Sequence, residues 1–265
     1  AGIGLYVVIS ESLLRKNSGE SNWLARGAVH QGAFSFLSLV PAALATYALT
    51  WVGWIFGPAG YLRNWATDNP ATDLLSVFPD WMLSLFRYHE MMYRFHINLT
   101  SEHAYQAHPL GWLVGLRPTA FFYDSYPVGT NGCEIAAGCS SAITALGNPF
   151  IWISSTAALF YISYRYARHR ERVLGLVLLG TASLYLPWVI LSERTVFQFY
   201  AVSFQPWLIL GLVLAIQQLR RRILTKSKTL ANALTMGFLV LVFGSFMLFL
   251  PINTGIYLPF VLWHI

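Results

Sequence analysis

Long uncharged apolar runs alternate with short polar, mostly basic segments along this chain. An α-helix needs about 20 apolar residues to cross a bilayer core, and five runs come near that length: 30–56, 148–164, 173–192, 195–216 and 230–250. The opening "AGIGLYVVIS" is apolar but too short, and it has neither a basic flank nor a small-residue cleavage site, so it does not read as a signal peptide. It reads as the tail of an earlier span, which places the start of the chain inside a longer protein. Between the first two runs lies a long, more polar segment. Its part "TDLLSVFPDWMLSLFRYHEMMYRFHINL" spaces Leu83, Phe86, Met91 and Phe95 at helical intervals, with Arg87, Glu90 and Arg94 among them. This predicts an amphipathic helix starting near Trp81, capped by Asp80 and lying along the interface or packed on the span bundle. The expected organisation is the end of a span plus a loop at 1–29, a span at 30–56, an outer segment at 57–147, and a four-helix region with an outer tail at 148–265.

Composition agrees with a polytopic membrane protein of all-α class. Only 11% of residues are charged and 56% are hydrophobic, against about 25% charged in soluble domains. Short loops rich in Lys and Arg stay cytoplasmic. Twelve of the 17 cationic residues fall in three such segments: Arg15, Lys16 and Arg26; "RYARHRER" at 165–172; and "RRRILTKSK" at 220–228. Putting these inside leaves 57–147, the "SERT" link at 192–195 and the tail after Pro251 outside, with no span forced. The net charge of +6 is thus an insertion signal, and no basic face interleaved with aromatics points to nucleic acid.

The outer segments hold the candidate chemistry. Cys133 and Cys139 are the only cysteines, in a glycine-rich loop on the expected oxidising side. A disulfide is the preferred reading, beside free thiols or a metal site; zinc would need two further ligands such as His103 and His108, and the spacing matches no standard motif. Arg194 sits on a tight outer hairpin, and Arg117 precedes Pro118. Each reads either as an interfacial anchor or as a phosphate ligand, because guanidinium makes paired, charge-assisted hydrogen bonds to phosphate oxygens. Trp51, Trp54, Trp65, Trp152 and Trp188 fall near span ends, as headgroup anchors do. Trp112 lies instead within the outer loop, where it could face a ligand. "NLT" at 98–100 is a formal sequon to which no role attaches.

Several stretches carry a resemblance: "RYHEMMYRFHINLTSEHAYQAHPLGWLVGLRP", "ALGNPFIWISS", "SLYLPWVILSERTVFQFYAVSFQPWL" and "FLPINTGIYLPFVLW". In this order and spacing, joined by "YALTWVGWIFGPAGYLRNWA", they resemble the C-terminal half of the bacterial protein O-mannosyltransferases, and the match extends over nearly the whole chain. The resemblance implies a GT-C transmembrane bundle. It also implies inverting transfer of mannose from a polyprenyl-phosphate carrier to Ser/Thr hydroxyls of exported proteins, at the outer face of the bacterial plasma membrane, with exported proteins and secretion machinery as the expected partners. The family's acidic catalytic pair lies in a first outer loop before any residue present here, so the base is expected outside this chain and the chain alone is expected to be inactive. Eukaryotic members insert a β-trefoil domain where 57–147 stands. The family's tyrosine-containing motif would carry a small hydroxyl residue near Ala107, so no side-chain hydrogen bond is expected from that position.

On that reading, Arg117 and Arg194 bind the donor phosphate with Tyr105 and His108 as hydrogen-bonding partners, while Glu90, His96 and Trp112 shape the acceptor groove or the loop. For His96, His103 and His108 an interfacial or structural role is the competing reading. No cofactor or metal is expected beyond the lipid-linked donor. Two alternatives stand beside this one. Another GT-C enzyme would move an aminosugar or arabinose from the same kind of carrier. A transporter or scaffold would place polar groups within its spans; here Pro41, Pro187 and Pro206 interrupt spans without an intramembrane acidic residue, and no internal repeat is visible.

Overall fold

The structure, a computed structural model, describes residues 2–259. The first residue of the opening run and the end of "FLPINTGIYLPFVLW" lie outside the described residues. The chain forms two compact units, one ending at Thr100 and the other beginning at Ser101. Helices dominate, and the all-α class stands.

The first unit contains α1 (Gly2–Asn17), α2 (Trp23–Arg26), a π turn over Gly27–Gln31, α3 (Gly32–Thr50), α4 (Val52–Phe56), α5 (Trp65–Asp68), a 3₁₀ turn at Leu74–Val77 and α6 (Asp80–Ile97). From Trp23 to Thr50 the helical turns are continuous over 28 residues, so the span begins earlier than the apolar run suggests. The π turn coincides with a close approach. A Cβ on Gly27 would lie 2.0 Å from Ser12 Oγ and 2.9 Å from Ser12 Cα, so only glycine lets α1 come this near. Ionic contacts tie the same end: Glu20 accepts from both Arg26 and Arg15. The hydrogen bond from Arg26, first among its causes, holds the Glu20 carboxyl below its ordinary range.

Helix α6 is the expected amphipathic helix. Its fully buried Ser84 accepts the Ala66 N–H at 3.0 Å, and the Arg87 guanidinium lies 5.5 Å over the Trp65 ring, which docks α5 on α6. The expected cap is corrected. Pro79 occupies the N-cap position, Asp80 is already helical, and the Asp80 carboxylate accepts from the Thr67 hydroxyl at 3.0 Å.

The second unit contains α7 (Pro109–Trp112), β1 (Ala120–Tyr126), β2 (Cys139–Thr144), α8 (Pro149–His169), α9 (Arg172–Ile190), a 3₁₀ turn at Gln198–Ser203, α10 (Gln205–Leu224), α11 (Lys228–Thr254) and β3 (Leu258–Pro259). The strands form an antiparallel sheet in the order β1-β2-β3, with an irregularity between Ala120 and Phe122 and Tyr126 opposite Cys139. This sheet was not foreseen. Cys133 and Cys139 are joined by a disulfide, with Cα atoms 5.8 Å apart, closing the loop between β1 and β2. Mass spectrometry of non-reduced peptides should therefore recover Cys133 linked to Cys139. Alkylation of both residues without reductant is the opposite result.

Helices α8–α11 make up most of this unit, and one expectation is corrected. The apolar run at 195–216 is not one helix; a 3₁₀ turn leads to Phe204, and α10 runs from Gln205 to Leu224. Pro206 explains the restart, because proline is tolerated in the first helical turn, where its missing N–H has no partner to lose. Asn148 caps α8 by accepting from the Phe150 and Ile151 N–H groups, and its Nδ2 donates to the Val242 carbonyl of α11 at 2.8 Å. Gly180 of α9 faces Trp207 of α10, where a Cβ would sit 2.3 Å from the indole. At one end of the bundle Arg165 bonds Glu171, Gln218 reaches Glu171 at 3.4 Å, and Arg220 reaches Asn232 at 2.9 Å. The basic segments 165–172 and 220–228 therefore share an end, as the charge alternation requires.

Trp23–Thr50, Arg172–Ile190 and Lys228–Thr254 are the three described helices long and apolar enough to cross a membrane. Phe34, Leu37, Leu49, Phe243 and Leu248 lie uncovered on the first and third of these. Lipid tails are the solvent that makes such surfaces tolerable.

Candidate functional site

The loop "HAYQAHPLGWLVGLRP" at 103–118 is fastened to the α9–α10 connection that carries Arg194. The Thr195 hydroxyl donates to the Ser101 carbonyl, and the Ala107 N–H donates to the Val196 carbonyl at 3.0 Å. The His103 ring meets the edge of Phe197 at 4.9 Å. The Tyr185 hydroxyl of α9 donates to the Pro109 carbonyl at 3.2 Å. Polar loop and arginine hairpin are thus one construction within the second unit.

Trp112 is the pin. It is fully buried, its Nε1–H donates to the Ala107 carbonyl at 2.9 Å, and its ring packs 5.9 Å from Trp188 and 6.1 Å from Tyr200. Trp152 is buried beside it and donates to the Trp112 carbonyl. Two expectations are corrected here. Trp112 does not face a ligand, and Trp152 is a core residue instead of a headgroup anchor; indole in this loop satisfies backbone carbonyls that a buried turn would otherwise leave bare. Ala107, where a small hydroxyl was expected, is buried at 3% exposure in the same cluster.

The candidate phosphate ligands occupy the outer surface of this construction. His108 Nδ1 accepts from the Leu110 N–H at 3.3 Å and caps α7, while His103 Nδ1 accepts from the Tyr105 N–H at 3.1 Å. With Nδ1 an acceptor, each neutral ring carries its proton on Nε2, which leaves an outward donor. His108 and Tyr105 are both exposed. Arg117 stands in the left-handed region at φ 54° and donates from Nη2 to the Ala104 carbonyl at 3.0 Å, which ties the two ends of the loop. Arg194 is half-buried with its guanidinium 5.7 Å over the Trp188 ring. A guanidinium stacked on an indole is held in one plane.

Glu90 and His96 belong to the first unit, on α6. Glu90 is bridged by Arg87 at 2.6 Å and Arg94 at 2.7 Å, and the Arg87 hydrogen bond is the main reason its carboxyl lies below the ordinary range. Since the folded state lowers this pKa, the ion pair stabilises above the unfolded carboxylate pKa and is lost as pH falls through the folded one. His96 lies 5.4 Å from the Phe95 ring. Among the described residues no group of three or more His, Cys, Asp or Glu side chains could hold a metal.

Gln198 and Asn253 were missed in the sequence. Both line a cavity beside the α9–α10 connection, and each has a buried side-chain oxygen without a protein partner. Neither stands in a motif that would have marked it.

The family model described as the C-terminal four TMM region of protein-O-mannosyltransferase matches residues 82–260. The chain is 26% identical over 270 residues to the polyprenol-phosphate-mannose--protein mannosyltransferase of Corynebacterium glutamicum, covering 98% of this chain and 51% of that protein. It is 28% identical over 237 residues to the protein of the same name from Mycolicibacterium smegmatis, covering 86% of this chain and 44% of that one. The chain thus spans about half the length of the curated relatives it matches. The solved S. cerevisiae protein O-mannosyltransferase Pmt1-Pmt2 complex bound to the sugar donor aligns at 19% identity with a TM-score of 0.49, over 68% of this chain and 25% of that one. Four C-terminal helices, the loop fastened to the α9–α10 connection and the family match lead to one assignment: this chain belongs to the protein O-mannosyltransferase family, whose C-terminal four-transmembrane region its residues 82–260 match.

Proposed function

We propose that this chain is the leaving-group half of a mannosyltransferase that moves mannose from a polyprenyl-phosphate carrier to Ser/Thr hydroxyls of exported proteins. The reaction takes place at the outer face of the bacterial plasma membrane. The observation that carries the reading is the fastening of the 103–118 loop to the Arg194 hairpin in a chain of this family. Transfer breaks the bond between the sugar and the phosphate oxygen while the acceptor oxygen attacks from the opposite face. A base takes the acceptor proton, and cationic donors stabilise the charge that grows on the phosphate.

In this reading the base is a carboxylate outside the chain. Arg194 and Arg117 hold the phosphate, with Tyr105 and His108 as further donors, and Glu90 and His96 shape the acceptor side. No cofactor is needed, since the lipid-linked sugar is already activated. Trp112 acts through the loop it pins.

The test uses the full-length protein carrying this chain in membrane vesicles. Polyprenyl-phosphate mannose should label a Ser/Thr peptide, and mild alkaline β-elimination should release the mannose. Labelling from an aminosugar or arabinose carrier alone would instead favour a GT-C relative with another donor.

A further inference from the structure

Between α10 and α11, toward the end that carries the basic segments, runs an apolar groove of about 200 Å³. On α10 it is lined by Leu212, Ile216, Leu219 and Ile223, one stripe at helical spacing, and on α11 by Leu234 and Phe238. Leu219 is 56% exposed and Leu234 52%, so the groove is open along its side. From Leu212 to Ile223 a helix rises about 16 Å, close to half of a hydrocarbon core of about 30 Å. The groove is one leaflet deep.

A cation closes its charged end. Arg220 lines the groove and donates from Nη2 to Asn232 Oδ1 at 2.9 Å, which holds the guanidinium across the α10–α11 junction. Arg221, Arg222, Lys226 and Lys228 follow, all exposed. No Asp or Glu occurs after Glu193, and among the described residues none of these five cations is in an ion pair. Glu171, at the same end of the bundle, is already bonded by Arg165 and Gln218. An insertion signal needs only charge in a short loop. It does not need an apolar groove of leaflet depth ending at one of its guanidinium groups.

We propose that this groove holds an anionic phospholipid of the leaflet that meets the basic loops, with one acyl chain along α10 and its phosphate at Arg220. The apolar stripe takes the chain, and the unpaired cations take the headgroup charge. The polyprenyl-phosphate donor is a poor fit, because the Arg194 connection enters α10 at Gln205 while the groove cations lie on its last turn and beyond. The inference does not rest on the proposed transfer reaction.

Photo-crosslinking of the full-length protein in phosphatidylcholine vesicles tests it. Trace phosphatidylglycerol with a diazirine on its acyl chain should label peptides covering 212–223 and 231–238, and an equal trace of diazirine phosphatidylcholine should label them several-fold less. Replacing a tenth of the vesicle lipid by unlabelled phosphatidylglycerol should suppress the labelling. Arg220→Gln should lower it about fivefold, the worth of one cation near the headgroups, and Thr235→Trp, which fills the groove from α11, should lower it whatever the headgroup. Thermal unfolding like that of the wild type confirms that each variant folds, and Arg220→Gln alone decides the matter if Thr235→Trp does not. Equal labelling by the two lipids, label elsewhere in the chain only, or unchanged labelling in folded Arg220→Gln overturns the proposal. Suppression by polyprenyl phosphate at lower concentration than by phosphatidylglycerol overturns it too, since the groove would then belong to the donor's tail.

Discussion

Replacing Arg194 by Ala in the full-length protein carrying this chain should lower the rate of mannose transfer about 10²- to 10³-fold, the usual cost of deleting one donor aimed at developing transition-state charge. The reason lies in its setting. The guanidinium is stacked 5.7 Å over Trp188 on a hairpin fastened to the 103–118 loop, so its orientation is fixed before a phosphate arrives. Arg194→Lys should recover only part of the loss, because an ammonium keeps the charge but neither the paired in-plane donors nor the stacking. Peptide KM should stay near the wild-type value in both variants, since the acceptor does not touch this residue in the proposed site. A transfer assay over ranges of donor and peptide separates these terms. Equal rates for wild type and Arg194→Ala would remove Arg194 from the chemistry.

Trp112→Ala should have the largest effect on stability, about 3–5 kcal/mol, as expected when a fully buried indole is truncated. The side chain has no exposed surface, and deletion removes both its packing on Trp188 and Tyr200 and its hydrogen bond to the Ala107 carbonyl. Trp112→Phe keeps much of the packing but leaves that carbonyl without its donor. It should fall between wild type and Ala in thermal unfolding. Donor binding should weaken along the same series, because the loop that carries Tyr105, His108 and Arg117 is what Trp112 holds. A Trp112→Ala protein that unfolds like the wild type would show that the loop is held by other contacts.

Much of this architecture was legible because lipid imposes a one-dimensional rule: a spanning helix must be long, apolar and uncharged. The α9 and α11 helices follow it, and the basic segments 165–172 and 220–228 mark the end they share. The rule failed at 195–216, where apolar composition continued through a change of backbone, and only Pro206 hinted that the helix restarts. It was also silent on the sheet. Cys139 pairs with Pro259, more than a hundred residues away, and no local pattern announces a partner at that distance.

The candidate site was legible by residue type and not by geometry. Two histidines, a tyrosine and an arginine in an outer loop were visible as polar chemistry in a hydrophobic chain. Their attachment to the Arg194 hairpin runs through the backbone groups of Ala107, Val196 and Ser101, which are chemically alike at every residue. Trp112 and Trp152 looked like interfacial aromatics because the same amphipathic ring serves a headgroup belt or a buried turn, and only burial separates the two uses. Gln198 and Asn253 are ordinary amides until the fold brings them to one cavity and leaves their oxygens without partners.

The central claim is that this half of the enzyme holds the departing phosphate, and product inhibition tests it without depending on the chemical step. Free polyprenyl phosphate should inhibit the wild-type protein in competition with the donor, and its inhibition constant should rise tenfold or more in Arg194→Ala while that for the peptide product stays constant. An unchanged inhibition constant for polyprenyl phosphate in a folded Arg194→Ala protein would contradict the account.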